Sequence, residues 1–262
     1  MGNQSYKWVG TRQPRPDGAD KVTGRARFGA DFDMPGQLVG KVLRSPHAHA
    51  NIRSIDTSKA KALRGVKAVI TAADLPDMPD EMAPAGEVMV NLRDVTRNVM
   101  AREKALYDGH AVAAVAATSE AIAREALDLI EVDYEVLPHV IDVDGAVAAD
   151  APILHDHLRT DGDENAADTP TNVAKRIEFL KGDLDAGWAE AEVVVEGSFT
   201  TKPVHQGYIE PHAAVASATE DGQVQLWCST QGQFNVRGYC AKLLDMQTSQ
   251  IRVTPSEIGG GF

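Results

Sequence analysis

The chain has 262 residues, of which 43% are hydrophobic and 24% charged, a balance typical of a soluble globular protein with room for two ordinary domains. Its 26 Lys and Arg residues stand against 38 Asp and Glu residues, so the formal net charge is −12. This acidity argues against a nucleic-acid-binding protein and against docking on an anionic membrane surface, because both need a basic surface.

In chain order, residues 1 to about 20 are polar and rich in proline, which predicts an N-terminal arm. Residues 21–138 mix short β-branched segments with helical spacing, and this mixture predicts an α/β or α+β domain. Its predicted strands are 37–43, 50–55, 66–71, 111–117 and 130–137, its predicted helices are 59–63 and 121–129, and residues 75–99 are predicted to be irregular.

Residues 139–172 are polar and loop-like, which predicts a linker. A second domain is predicted over 173–262, with a hairpin at Asp221-Gly222. Its predicted strands are 173–179, 193–201, 208–219, 223–228 and 250–254, and its predicted helices are 184–191 and 233–244.

The two cysteines, Cys228 and Cys240, are too few for a disulfide framework and for an iron–sulfur cluster, which takes about four thiolates. Any such cluster would therefore lie on a partner chain, and the cysteines are predicted to be small buried hydrophobic residues. No segment approaches the roughly 20 apolar residues of a membrane span, and the N-terminus has no apolar signal region. A reduced, cytoplasmic compartment is expected.

Two motifs of the second domain can contact a ligand. A glycine run, Gly259-Gly260-Gly261, follows a predicted strand, and such a run brings backbone N–H groups close to anionic oxygens. A glycine run at this place is also typical of a tail or hinge. Ser229 and Thr230 are typical of a helix cap, whereas Gln231 can direct its amide into a site outside the strand end.

Histidine pairs are a second kind of candidate site. His47 with His49, and His155 with His157, have a spacing that places two imidazoles on one face of a strand, as zinc ligands can lie. Neither pair has an evident third ligand, so hydrogen-bonded loop histidines are the favoured interpretation.

The segment Glu210-Pro211-His212 precedes the predicted hairpin. A Glu and a His there can do acid–base chemistry, but structural hydrogen bonding is the favoured role. The sequence has no nucleophile elbow, no P-loop and no H-E-x-x-H motif. These residues by themselves therefore do not name a reaction.

Several segments together resemble the large subunits of xanthine dehydrogenases and aldehyde oxidases, the molybdenum hydroxylases. In the first domain the similar segments are 15–18, 21–26, 40–50, 55–56, 65–76 and 132–138. In the second domain they are 210–214, 229–231 and 259–262, in the order and with the spacing found in that family.

The resemblance implies an α+β chain, with an α/β hammerhead domain followed by the beginning of a mixed α/β molybdopterin-binding domain. It implies an oxidoreductase that hydroxylates an N-heterocycle, an aldehyde or a related substrate with oxygen taken from water. Molybdenum–molybdopterin would be the cofactor, only partly bound by this chain. Electrons would pass to a small Fe–S subunit and a medium FAD subunit, and a second copy of the complex is a further possible partner.

By the same resemblance, Gln231 would place its amide beside the metal's oxygen ligand, and Gly260, Gly261 and Phe262 would form the loop beside the metal. The catalytic glutamate of the family has no counterpart in this sequence, so neither a catalytic residue nor a direct metal ligand is predicted. The chain is accordingly expected to be incomplete and inactive alone. The alternative is a non-catalytic binding or assembly protein that kept the hammerhead domain.

Overall fold

The structure is a computed structural model that describes residues 6–85, 88–162 and 169–260. The chain divides into two compact units, each assembled from separated stretches. Unit 1 takes its described residues from Met1–Gln37, Asp80–Leu92 and Gln206–Phe262, and unit 2 from Leu38–Pro79 and Arg93–His205.

Helices and strands alternate irregularly along the described residues. The helices are α1 (Gly18–Thr23), α2 (Ser58–Ala62), α3 (Leu92–Val99), α4 (Glu120–Asp128), α5 (Val143–Ala146), α6 (Leu184–Glu190) and α7 (Gln233–Leu243). The strands are β1 (Val39–Arg44), β2 (Ala50–Asp56), β3 (Val66–Thr71), β4 (Met82–Ala85), β5 (Val88–Asn91), β6 (Lys104–Ala105), β7 (Ala111–Ala117), β8 (Glu131–Val136), β9 (Ala214–Ala218), β10 (Val224–Cys228) and β11 (Ile251–Pro255). Within the part of the chain that the structure describes, no helix combines the length and apolar content of a membrane span.

Unit 2 is built around β7, the middle strand of the sheet β1-β7-β3, and a second sheet has the order β6-β2-β8. β7 pairs antiparallel with both neighbours, and its Ala and Val side chains are largely buried. The small Ala113 and Ala117 leave room for helix α4, whose Ala123 and Ala126 join the same core. Ser119 caps α4 by accepting a hydrogen bond from the N–H of Ile122 at 3.3 Å.

Unit 1 contains the sheet β11-β10-β9 and the hairpin β4-β5. β10 runs antiparallel to β9 through the predicted hairpin, where Gly222 has φ +80°, a value that glycine adopts without strain. β10 then pairs in parallel with β11, and the crossover between them is α7. Buried Cys228 and Ile251 form its core with Ala241, and burial raises the pKa of the Cys228 thiol, as expected for a packing residue.

Most predicted elements of the first domain are confirmed to within two residues. The strands predicted at 66–71 and 111–117 are β3 and β7, and the helix predicted at 121–129 is α4. The irregular excursion predicted over 75–99 is wrong, because it contains β4, β5 and α3. β4 and β5 form a two-stranded antiparallel sheet, in which the proline of β4 is tolerated because each strand has a free edge.

Three strand predictions of the second domain are wrong in whole or in part. Residues 173–179 and 193–201 form no named strand, and of the strand predicted over 208–219 only β9 is present. No described residue pairs with 193–201, and a strand without a partner leaves its backbone hydrogen bonds to water. Its apolar side chains are consequently exposed, Val195 to 88% and Phe199 to 94%.

The same Val→Ala substitution should change the free energy of unfolding by very different amounts inside and outside the core of unit 2. Val115 on β7 is 2% exposed, whereas Val195 is 88% exposed. We expect Val115→Ala to lower the free energy of unfolding by about 2 kcal/mol, because it removes buried methyl groups and leaves a cavity. Val195→Ala, the matched control, should change it by less than about 0.5 kcal/mol. Urea unfolding followed by circular dichroism measures both, and equal effects would contradict the assignment of this core.

Candidate functional site

One edge of the unit 1 sheet collects the residues that the sequence singles out. Cys228, the last residue of β10, is opposite Pro255, the last residue of the parallel strand β11. Cys228 is also opposite Ala214, the first residue of the antiparallel strand β9. The segments that follow β10 and β11 and the segment that precedes β9 therefore leave the sheet at the same edge.

Backbone hydrogen bonds hold the exit of β11 in place. The N–H of Ser256 donates to the carbonyl of Cys228 at 3.0 Å, which keeps the two strand ends together. The N–H of Glu257 donates to the carbonyl of Arg27 at 3.0 Å, so the N-terminal part of unit 1 also fixes this segment. The glycine loop starts two residues later at Gly259.

A cavity of about 360 Å³ opens at this edge, and we call it the glycine-loop cavity. Its lining residues are Gln206, Tyr208, 210–213, 229–231, Ile258 and Gly260. Two of the four predicted cofactor-contacting residues, Gln231 and Gly260, thus line one cavity. The other two, Gly261 and Phe262, lie outside the described residues.

The cavity presents hydrogen-bond donors. Among the described residues, no group accepts a hydrogen bond from the N–H of Gly260, and none pairs with the side-chain amide of Gln231. The neighbouring Thr230 is occupied locally, because its hydroxyl accepts from the N–H of Gly232 at 3.0 Å. An amide and a backbone N–H at one cavity are groups that bind oxo or phosphate oxygens, so this donor set fits a cofactor carrying such oxygens.

Glu210 is the acidic side chain of this cavity, and its two oxygens are both engaged. The Ser229 hydroxyl donates to Oε1 at 2.9 Å, and the N–H of Gly259 donates to Oε2. Burial raises the pKa of Glu210, but hydrogen bonds from Gly259, Ser229 and the backbone of Gly29 outweigh it, so the pKa lies below its usual value. The carboxylate is therefore ionised at neutral pH and hydrogen-bonded, as the sequence predicts for a structural role.

The second residue of that motif, His212, is paired with Tyr208. Their rings are stacked with centroids 5.3 Å apart, and the Tyr208 hydroxyl is hydrogen-bonded to Nε2 of His212. Both residues line the glycine-loop cavity. The predicted structural hydrogen bonding of His212 is thus present.

A second cavity of about 680 Å³, the ion-pair cavity, shares Thr230, Gln231 and Ile258 with the first. Lys21 lines this cavity, with Nζ 2.9 Å from Oδ2 of Asp17 and 3.1 Å from Oε2 of Glu257. Hydrogen bonds from Arg15 and Lys21 hold the pKa of Asp17 well below its usual range. Sequence reasoning missed these residues, although the four-residue spacing of Asp17 and Lys21 is a signal for an ion pair on a helix.

One histidine of each pair is hydrogen-bonded to a residue far away in the sequence. Nδ1 of His49 lies 2.8 Å from the carbonyl of Pro138, and Nε2 of His157 lies 2.9 Å from Oδ1 of Asp94. The predicted role as hydrogen-bonded loop histidines is confirmed for these two. Across residues 6–85, 88–162 and 169–260, no three His, Cys, Asp or Glu side chains are grouped as metal ligands.

Comparison with known proteins assigns both halves of the chain. Residues 23–138 match the family described as aldehyde oxidase and xanthine dehydrogenase, a/b hammerhead domain. Residues 166–262 match the molybdopterin cofactor-binding domain. These two matches define the class of protein as a molybdopterin-binding oxidoreductase subunit. They also confirm the predicted fold class.

Relatives from several organisms resemble nearly the whole chain. The carbon monoxide dehydrogenase large chain of Afipia carboxidovorans is 36% identical over 99% of this chain and 32% of its own length. A xanthine dehydrogenase molybdenum-binding subunit of Escherichia coli is 31% identical over 95% of this chain and 31% of its own length. The crystal structure of quinoline 2-oxidoreductase from Pseudomonas putida 86 superposes with a TM-score of 0.79, at 32% identity over 97% of this chain and 31% of that one.

The chain belongs to the family of molybdopterin-binding large subunits of the xanthine dehydrogenase and aldehyde oxidase type. It spans about a third of the length of these two curated relatives. The predicted boundaries at residues 20, 138 and 172 stay predictions.

The close approach of Gly259 to Glu210 predicts that a glycine-to-alanine substitution there lowers stability, whereas the same substitution at a control position raises it. A Cβ added at Gly259 would lie 2.6 Å from Cβ of Glu210, whereas one added at Gly238 in α7 would meet nothing within 4 Å. We expect Gly259→Ala to destabilise unit 1 by about 1–3 kcal/mol through this overlap. Gly238→Ala should stabilise it by about 0.5–1 kcal/mol, because alanine restricts the unfolded chain. Urea unfolding followed by the fluorescence of Trp227 measures both, and a neutral Gly259→Ala would contradict the described loop position.

Proposed function

We propose that this chain supplies part of the cofactor-contacting wall of a molybdenum-dependent oxidoreductase that hydroxylates its substrate with oxygen from water. The observation that carries the proposal is that Gln231 and Gly260, two residues 29 positions apart, line one cavity with donors to which no described residue is hydrogen-bonded. In this proposal the cavity holds the oxygen-bearing side of molybdenum–molybdopterin. The family membership of the chain supports the same assignment.

When bound, the cofactor would supply the redox chemistry, and the protein would supply binding, orientation and electrostatics. The Gln231 amide would donate to an oxygen of the cofactor and fix its orientation. The N–H of Gly260 would do the same from the opposite segment, and Gly261 and Phe262 would continue that loop. Glu210 would not act as the base, since both of its oxygens accept hydrogen bonds.

Partners and substrate are part of the same proposal. Fe–S and FAD groups would lie on separate subunits, because an iron–sulfur cluster takes about four thiolates and this chain has two cysteines. The names of two relatives, a large chain and a molybdenum-binding subunit, support an assembly of several subunits. The substrate would be an N-heterocycle, an aldehyde or a related compound.

Molybdenum content and turnover test the proposal with one variant and one control. We expect Gln231→Ala, in the complex purified from cells that make it, to lower cofactor retention or the hydroxylation rate by about 10- to 100-fold, because an orienting donor is lost. Gln223→Ala changes an exposed glutamine of the hairpin in the same unit and should leave both quantities unchanged. Metal analysis and isotope incorporation from labelled water are the measurements.

Three results would oppose parts of the proposal. A purified complex that contains no molybdenum and no pterin would favour the non-catalytic binding or assembly protein. Equal loss with Gln231→Ala and Gln223→Ala would mean that position 231 has no special relation to the cofactor. Stoichiometric molybdenum with activity in the isolated chain would refute the expectation that it is inactive alone.

A further inference from the structure

We propose that Glu210 is a positioning residue, whose carboxylate joins the glycine loop to the segment after β10 so that Gly260 and Gln231 face the same cavity. This inference rests on the proposed function only for what the cavity binds. The joining itself follows from contacts within unit 1.

The carboxylate connects three separate stretches of chain. Ser229 precedes Gln231 by two residues and donates its hydroxyl to Oε1 at 2.9 Å. Gly259 precedes Gly260 and donates its N–H to Oε2. A third stretch, around Gly29, also approaches the carboxylate, and its backbone helps to lower the pKa of Glu210. Hydrogen bonds to an ionised acceptor are about twice as strong as neutral ones, so these are the strongest ties available to such segments.

The glycine loop has little else to hold it. Among the described residues, the bond from the Gly259 N–H to Glu210 is the only hydrogen bond made by residues 258–260. The contact is also sterically specific, since a Cβ at Gly259 would lie 2.6 Å from Cβ of Glu210. A Cβ at Gly29 would lie 2.8 Å from the carbonyl oxygen of Ala213, so the third stretch approaches the same segment as closely. Glycine at position 259 allows the carboxylate to approach the loop closely enough to bind both of its donors, Gly259 and Ser229.

The two neighbouring backbone N–H groups of the glycine loop have different roles. The N–H of Gly259 is used internally by Glu210, and the N–H of the next residue, Gly260, stays available at the cavity. Because Glu210 also lines the cavity, its charge would repel anionic oxygens if it were not satisfied by donors. Holding the carboxylate in hydrogen bonds therefore both fixes the loop and limits that repulsion.

Amide hydrogen exchange in the isotope-labelled chain tests the tie directly. Glu210→Gln keeps one acceptor oxygen, which is uncharged, and replaces the other with an NH₂ donor, so neither charge-assisted hydrogen bond remains. We expect the amide of Gly259 to exchange about 10- to 100-fold faster, the effect of losing a charge-assisted hydrogen bond. The Gly222 amide, which donates to Thr219 at 3.0 Å, should be unaffected. Glu220→Gln, at an exposed carboxylate of the same unit, is the matched control.

The side-chain amide signals of Gln231 distinguish positioning from a merely structural role. Gln231 is not hydrogen-bonded to Glu210, so its resonances should move in Glu210→Gln only if the carboxylate sets the geometry of the 229–231 segment. If Glu210→Gln fails to fold, Ser229→Ala removes one donor and leaves the Gly259 bond. That variant should shift the Gln231 signals and leave Gly259 exchange near the original rate.

Unchanged Gly259 exchange in folded Glu210→Gln, or unchanged Gln231 signals in Ser229→Ala, would overturn the inference. Both measurements need no cofactor, so they are independent of molybdenum content. If Gly259 exchange is faster in Glu210→Gln and the purified complex lacks molybdenum, the positioning role is upheld and the proposed function is rejected. The opposite pair of results would reject only the positioning role.

Discussion

The candidate site depends on the parallel pairing of β10 with β11. Parallel strands end at the same edge of a sheet, and this register sets Cys228 opposite Pro255. The antiparallel strand β9 starts at that edge, because its Ala214 is opposite the same Cys228. These two pairings bring together the three segments that carry Glu210, Gln231 and Gly260, and the hydrogen bonds of Glu210 then join them. A change of register in β10 would separate them, even if every side chain were kept.

Charge compensation is the second physical theme of unit 1. A cavity that offers donors to an oxygen-rich ligand also contains the carboxylate of Glu210, which would repel such a ligand. Hydrogen bonds from the Gly259 backbone and the Ser229 hydroxyl satisfy this charge. On the other side of Gln231, Lys21 satisfies Asp17 and Glu257 in the same way. These partly exposed ion pairs contribute little stability, so we expect their role to be to fix the segment that leads into the glycine loop.

Local sequence predicted most of the elements whose partners lie within the described chain, although it missed β4 and β5. β7 was readable as a buried strand because small and β-branched apolar residues fill both of its faces. Ser119 marked the start of α4 because its hydroxyl satisfies a free backbone N–H. Residues 193–201 have the same β-branched composition, yet no strand forms, because no described residue pairs with them. A strand is specified by its neighbour as well as by its own residues, and composition does not identify that neighbour.

Local signals such as turn residues, glycines and a resemblance of motifs were sufficient to predict β10, α7 and β11 and to single out Gln231 and the glycine run. The sequence also identified Glu210 and His212 as hydrogen-bonding residues. The contacts of Glu210 with Ser229 and Gly259, and of Lys21 with Glu257, became visible only in the folded chain. These partners lie up to 236 residues apart, and strand register, which no local pattern encodes, sets the distance between them in space.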